Sequence, residues 1–213
     1  MQPTIKELHD NDRFTMVRKL NHSELVEFVL ENIKPIYWPI AFFYLFNLFI
    51  LLYTLIFGIS AIYSGIFGWR ALAGQFFFGL FAGMIVVIPF HELLHGLAYK
   101  LTGAPRVKFG ARLKQMLFYA EAPGFVAGRR QFYLVALLPF IIINLFFISC
   151  FLFSSPANQW ASLIALLSHS SLCIGDFAMM NFFASRKNSQ LFTYDDPEEK
   201  VAYFYEKKPV HFI

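Results

Sequence analysis

Residues 75–100 read QFFFGLFAGMIVVIPFHELLHGLAYK. The run is almost wholly apolar up to Phe90, and then places two histidines and a glutamate inside five residues. Ionisable groups in apolar surroundings cost several kcal/mol, so their retention points to function. His91, Glu92 and His95 form H-E-x-x-H. Residues four apart on a helix stand one turn apart on nearly the same face, where two imidazoles can meet one metal ion. Glu92 points to the side and can serve as general base toward a water at that metal. Zinc suits such a site, because imidazole and carboxylate are its usual ligands and a catalytic site has three of them plus an open position. A hydrogen-bonded polar cluster without metal is the plainer alternative. Pro89 removes a backbone hydrogen bond near Ile85 and predicts a kink just before the motif.

The whole chain supports the apolar setting. It has 213 residues, 57% of them hydrophobic and 15% charged, with a mean hydropathy of +0.52. A soluble domain carries about 25% charged residues. Four runs, about 39–63, 71–99, 132–153 and 160–184, are long enough to cross a bilayer, which takes about 20 residues of helix. Backbone in lipid must satisfy its own hydrogen bonds, so these runs are expected to be helices. The expected fold is an all-α polytopic membrane protein with four transmembrane helices in residues 39–184. A segment 1–38 precedes them, a loop 100–131 joins the second and third, and a tail 185–213 follows. Cys150 and Cys173 both lie in apolar runs and suggest no disulfide framework. The first forty residues lack the pattern of a cleaved signal peptide.

The charges orient this arrangement. Of 18 Lys and Arg, all but Arg70 fall in segment 1–38, loop 100–131 or tail 185–213. By the positive-inside rule these three parts are cytoplasmic, which makes the chain a multi-pass protein of the cell (inner) membrane. The formal net charge of +4 is therefore a topology signal, with the bilayer as partner and no nucleic acid.

Two of the polar segments carry pattern. In NHSELVEFVLENIKP, Asn21 and Glu24 have capping-box spacing. Leu25, Val26, Phe28, Val29 and Ile33 form a mostly one-sided stripe. That fits a helix lying on the cytoplasmic leaflet, and equally one packed on the rest of the protein. In GAPRVKFGARLKQMLFYAEAPGF, Arg106 to Leu113 partly alternates between polar and apolar. A short cytoplasmic β-hairpin fits this, as does a basic loop touching anionic lipid. The tail, with TYDDPEEK, reads as solvated.

A zinc site needs a third ligand. Asp176, in LCIGDFAMM, is the other acidic residue inside a predicted span. His91, His95 and Asp176 lie roughly 13, 7 and 15 Å along their helices from the cytoplasmic ends, at 1.5 Å per residue. These depths overlap, so one metal can join all three. Asp176 satisfied by neighbouring Ser or backbone is the alternative. His169 lies on the Asp176 face but about 10 Å farther out, too far for the same metal. It could line a water path or orient a ligand from behind, or simply hydrogen-bond in packing. Cys173 suits a buried inert thiol better than a ligand. Asn144 suits interhelical bonding better than donation to an oxyanion. Gly79 and Gly83 form G-x-x-x-G and, like Gly96, permit close packing.

HELLH in one span, with a Gly-Asp pair in the last, resembles the site-2 protease class of intramembrane zinc metalloproteases. HELLHGLAYKLTGAPRVKFG with the later CIGDF is similar, more closely, to a bacterial family of zincin membrane proteins. The resemblance covers about residues 71–184. It implies a three-helix metalloprotease core, with His91, His95 and Asp176 holding Zn2+ and Glu92 as catalytic base. It also implies cleavage of a membrane-associated protein or peptide from the cytoplasmic side, the substrate adding as a strand beside the central loop. The chain departs from the site-2 pattern in SHSSLCIGDF, which has Gly-Asp for Asp-Gly and no proline, and it carries no inserted regulatory domain. Two other functions fit the same residues: a zinc hydrolase of a lipid or small amide, and a non-catalytic zinc-binding scaffold or regulator. A haem bundle fits less well, because histidines four apart on one helix cannot face each other across one iron.

Overall fold

The computed structural model describes residues 2–65, 68–112 and 117–209. Leu113 and Lys114, read above with the central loop, lie outside them, as do Met1 and the last four residues of the tail. Three helices are long and apolar enough to cross a membrane: α3 (Trp38–Tyr63), the continuous stretch Trp69–Leu101, and α6 (Arg129–Phe153). They match the first three expected runs. The stretch Trp69–Leu101 comprises α4 (Trp69–Phe81), a π-helical turn Ala82–Val86 and α5 (Val87–Leu101). The π turn sits where Pro89 cannot donate to the turn before it, a common way to absorb such a break.

The fourth run does not stay one helix. It divides into α7 (Pro156–Leu172) and α8 (Ile174–Ser185), bent by 43° at Cys173. Three side chains before the break compete for backbone. Ser168 Oγ donates to Ile164 O at 2.6 Å, Ser170 Oγ to Leu167 O at 3.1 Å, and Cys173 Sγ to His169 O at 3.3 Å. Such back-bonding bends helices. The pair counts as a fourth span only if the two halves cross together.

Small residues set the helix packing. A Cβ on Gly79 would stand 2.3 Å from the Ala161 carbonyl of α7, and one on Gly83 would stand 2.5 Å from that of Ala165. Gly96 makes room for Phe109 of a strand instead of a helix. Trp160 Nε1 donates to Leu72 O at 3.1 Å, and Ser170 Oγ to Asn47 Oδ1 of α3 at 2.7 Å. Outward-facing residues of α3 such as Leu45, Phe49 and Ile56 leave an apolar surface of the kind that faces lipid.

The expectation of an all-α chain needs correcting at one end of the bundle. Eight helices are joined there by two small antiparallel sheets, with α1 (Ile5–Leu8) and α2 (Leu25–Asn32) completing the helices among the described residues. One sheet is the expected hairpin, β2 (Lys108–Arg112) with β3 (Leu117–Glu121). The other is a four-stranded sheet in the order β1-β6-β5-β4. It joins β1 (Phe14–Asn21), β4 (Ala127–Gly128), β5 (Leu191–Asp196) and β6 (Val201–Lys207). The tail is thus not a solvated extension. Its β5–β6 turn is held by the Asp196 carboxylate, which accepts from the backbone N–H groups of Glu198 and Glu199. Phe204 of β6 is buried with Leu20, Phe28, Phe132, Met180 and Phe183, and this cluster fastens the sheet to α2, α6 and α8. Glu24 caps the approach to α2 by accepting from both the backbone and the side-chain amide of Asn21. Helix α2 buries Phe28 in the shared core while Val26 and Leu30 remain exposed.

Candidate metal centre

His91 and His95 stand one turn apart on α5, with ring centroids 4.6 Å apart. Asp176 lies in the first turn of α8, a position the break at Cys173 creates. The helix dipole favours a carboxylate there. Its two oxygens divide between the two imidazoles. Oδ2 is 3.4 Å from His91 Nε2, and Oδ1 is 3.4 Å from His95 Nε2. The three residues that sequence spacing and depth singled out therefore converge. Their side chains are 15%, 12% and 22% exposed, buried enough to be held and open enough for water to reach.

The donor set suits zinc. Ligands about 2.0–2.1 Å from a tetrahedral centre stand about 3.3 Å from one another. Both N···O separations here are close to that edge. His95 Nδ1 lies 2.9 Å from Val135 O on α6 and must donate to it, which in the neutral ring leaves the lone pair on Nε2. Glu92 supplies a carboxylate within 4.8 Å of ligand atoms of both histidines and accepts from the backbone N–H of Ala120 on β3. Hairpin β2–β3 thus reaches the motif directly, with Phe109 of β2 seated on Gly96.

The site opens into a cavity of about 560 Å³. One wall is apolar, from Leu25 and Val29 of α2 and from Val135 and Ala136 of α6. The other wall is polar. It carries Glu121 at the end of β3, Asp195 of β5 and His22. His22 Nε2 stands 3.8 Å from Glu121 Oε1. Burial at the cavity edge and the nearby Glu121 carboxylate push Asp195 up to about 7. These three residues were missed from sequence, because they come from a segment read as a loop or interfacial helix and from a tail read as solvated. The alternation in LFTYDD and VAYFYEK was the available signal.

His169 lies closer to the motif than axial distance indicated. Its Nε2 is 3.2 Å from His91 Nδ1, and its Nδ1 is 3.0 Å from Asn144 Oδ1. The side chains span the gap, since His91 stands one turn outward of His95. Asn144 thus bonds between helices. Cys173 is buried, with Sγ 3.7 Å from His169 Nε2.

A family model described as "Putative zincin peptidase" matches residues 84–191, just over half of the chain. The chain belongs to that family. No curated protein and no solved structure matches it. The matched residues of this zincin-family chain run from the π turn to the start of β5, and so include His91, Glu92, His95 and Asp176.

Proposed function

We propose that the chain is a membrane-embedded zinc metallopeptidase, with His91, His95 and Asp176 as ligands and Glu92 as general base. The observation that supports it most strongly is the division of the Asp176 carboxylate between two Nε2 atoms at 3.4 Å each. Family membership and the H-E-x-x-H spacing agree with it.

When bound, zinc polarises a scissile carbonyl and makes water a nucleophile at neutral pH. The chain's own residues do the rest. Val135 O fixes the His95 ring. Glu92, beside His91 at the cavity wall, takes the proton of the attacking water and returns it to the leaving amine. The amide of Ala120 holds the Glu92 carboxylate on the cavity side. The apolar wall from α2 and α6 excludes bulk water around the substrate.

Substrate enters from the sheet end, which the distribution of Lys and Arg assigns to the cytoplasm. A helical segment hides its carbonyls, so it must unwind before cleavage. An extended segment can then pair beside β3. Residues Phe118–Glu121 line the cavity, and among the described residues hairpin β2–β3 has no further strand.

The test is substrate trapping in proteoliposomes. Glu92→Gln is expected to retain membrane-associated peptides that the parent cleaves. A trapped lipid with no peptide would replace the peptidase with a lipid or amide hydrolase. Bound zinc with an unchanged phenotype in Glu92→Gln would point to a non-catalytic scaffold.

A further inference from the structure

We propose that His169, itself held by Asn144, is a positioning residue that fixes the tautomer of His91 for metal binding. The inference rests on the zinc-site reading above. It follows from the proton inventory of three side chains in contact, buried Asn144 and His169 and half-buried His91. The amide oxygen Oδ1 of Asn144 can only accept, so His169 Nδ1, 3.0 Å away, must donate to it. A neutral imidazole with its proton on Nδ1 has a lone pair on Nε2. His91 Nδ1, 3.2 Å from that Nε2, must therefore carry the next proton and donate. In the neutral ring His91 Nε2 is then left bare, on the side that faces Asp176 Oδ2.

The amide orientation of Asn144 decides the outcome. Turned over, its NH2 would donate to His169 Nδ1. Every proton would shift one place, and His91 Nε2 would hold a hydrogen where a metal lone pair is needed. Asn144 is 3% exposed and His169 2%, so little water can interrupt the chain. The orientation leaves Asn144 Nδ2 without a partner among the described residues, which is a cost of the arrangement. His95 reaches the same tautomer by a different route, through a backbone carbonyl. His91 has a side chain in that role.

A second metal site competes for these atoms. Ligand atoms of His91, His169 and Cys173 lie within 4.8 Å of one another. A metal there would need His91 Nδ1 without its proton, and the 3.2 Å contact to His169 would not be a hydrogen bond. Cys173 Sγ already has the carbonyl of His169 as acceptor at 3.3 Å.

The experiment measures zinc affinity in detergent by competition with a chromogenic chelator, for the parent, His169→Gln and His169→Phe. Glutamine can place an oxygen where Nε2 stood and accept from His91 Nδ1. Phenylalanine keeps the ring and offers no acceptor. His169→Phe should bind zinc about 10–100-fold more weakly, the usual loss when a ligand's outer partner is removed, and His169→Gln should stay close to the parent. Nitrogen-15 NMR of the zinc-loaded parent should show His91 protonated at Nδ1. Asn144→Leu should weaken binding beside His169 but add nothing beside His169→Gln, because glutamine has no tautomer to select. If His169→Phe does not fold, this comparison decides in its place. Equal affinity in all variants of a zinc-binding parent would overturn the relay and leave the peptidase reading standing. Two zinc ions per chain, one lost in Cys173→Ala, would also overturn the relay alone. A parent that binds no zinc would overturn both.

Discussion

His91 Nε2 and Asp176 Oδ2 lie 3.4 Å apart, joining the middle of α5 to the first turn of α8. The second oxygen of the same carboxylate reaches His95 at the same distance. Two imidazoles and a carboxylate are thereby brought together, with Glu92 beside them and a cavity in front.

Binding and turnover should separate at Glu92. Its role is proton transfer, not ligation. Glu92→Gln is expected to keep its zinc while hydrolysis falls by about 10²–10⁴-fold, the usual share of general acid–base catalysis. Metal analysis and a peptide cleavage assay on the same preparation check this. Loss of zinc in Glu92→Gln would make Glu92 a ligand instead.

Helix α4 and the π turn after it should tolerate larger residues only away from α7. A side chain at Gly79 or Gly83 meets backbone carbonyls of α7, which cannot step aside. Gly83→Val should cost about 1–3 kcal/mol, as overpacking does. Gly74 has open space around it, and Gly74→Ala should be neutral or gain about 0.5–1 kcal/mol from helix propensity. Thermal unfolding in detergent distinguishes the two, and equal melting temperatures would refute the close packing.

The tail should be structural. Phe204 is fully buried against Phe28, Phe182 and Phe183. Phe204→Ala should destabilise the chain by about 3–5 kcal/mol and make the last strands sensitive to protease. A tail that is cut equally fast in parent and variant would show that the sheet does not hold.

Stability should fall as pH rises from about 4 to about 7, and Asp195 should be one cause. Its folded pKa, pushed to about 7 by burial and Glu121, lies above the ordinary carboxylate value. Between the two values the folded state keeps a proton that the unfolded chain has lost. Folding is therefore progressively weakened as pH climbs through that window, and the loss is complete above it. Asp195→Asn, with Glu121 and His22 unchanged, should melt with a flatter dependence between about pH 4 and pH 7. Identical profiles would remove Asp195 from the account.

Much of the site was legible because its signals are local or axial. The H-E-x-x-H spacing needs only helix geometry, and the depth of Asp176 needs only the rise per residue and a direction. The first three long helices follow from apolar length. What stayed hidden depends on contacts across the chain. Strand β1 pairs with β6 from Phe14↔Lys207 to Asn21↔Val201, and neither segment announces its distant partner. Without that pairing, His22, directly after β1, has no reason to share a cavity with Glu92. The bend at Cys173 comes from Ser and Cys side chains turning back on their own helix, a choice that composition leaves open. His169 was placed too far out because axial distance ignores the reach of two imidazoles toward each other.

The most direct measurement is the zinc content of the purified chain beside Asp176→Ala, by mass spectrometry of the metal. The proposed centre predicts about one zinc per parent chain, three protein ligands being a complete catalytic set. It predicts far less in Asp176→Ala. A parent without zinc, or equal zinc in both, would contradict it.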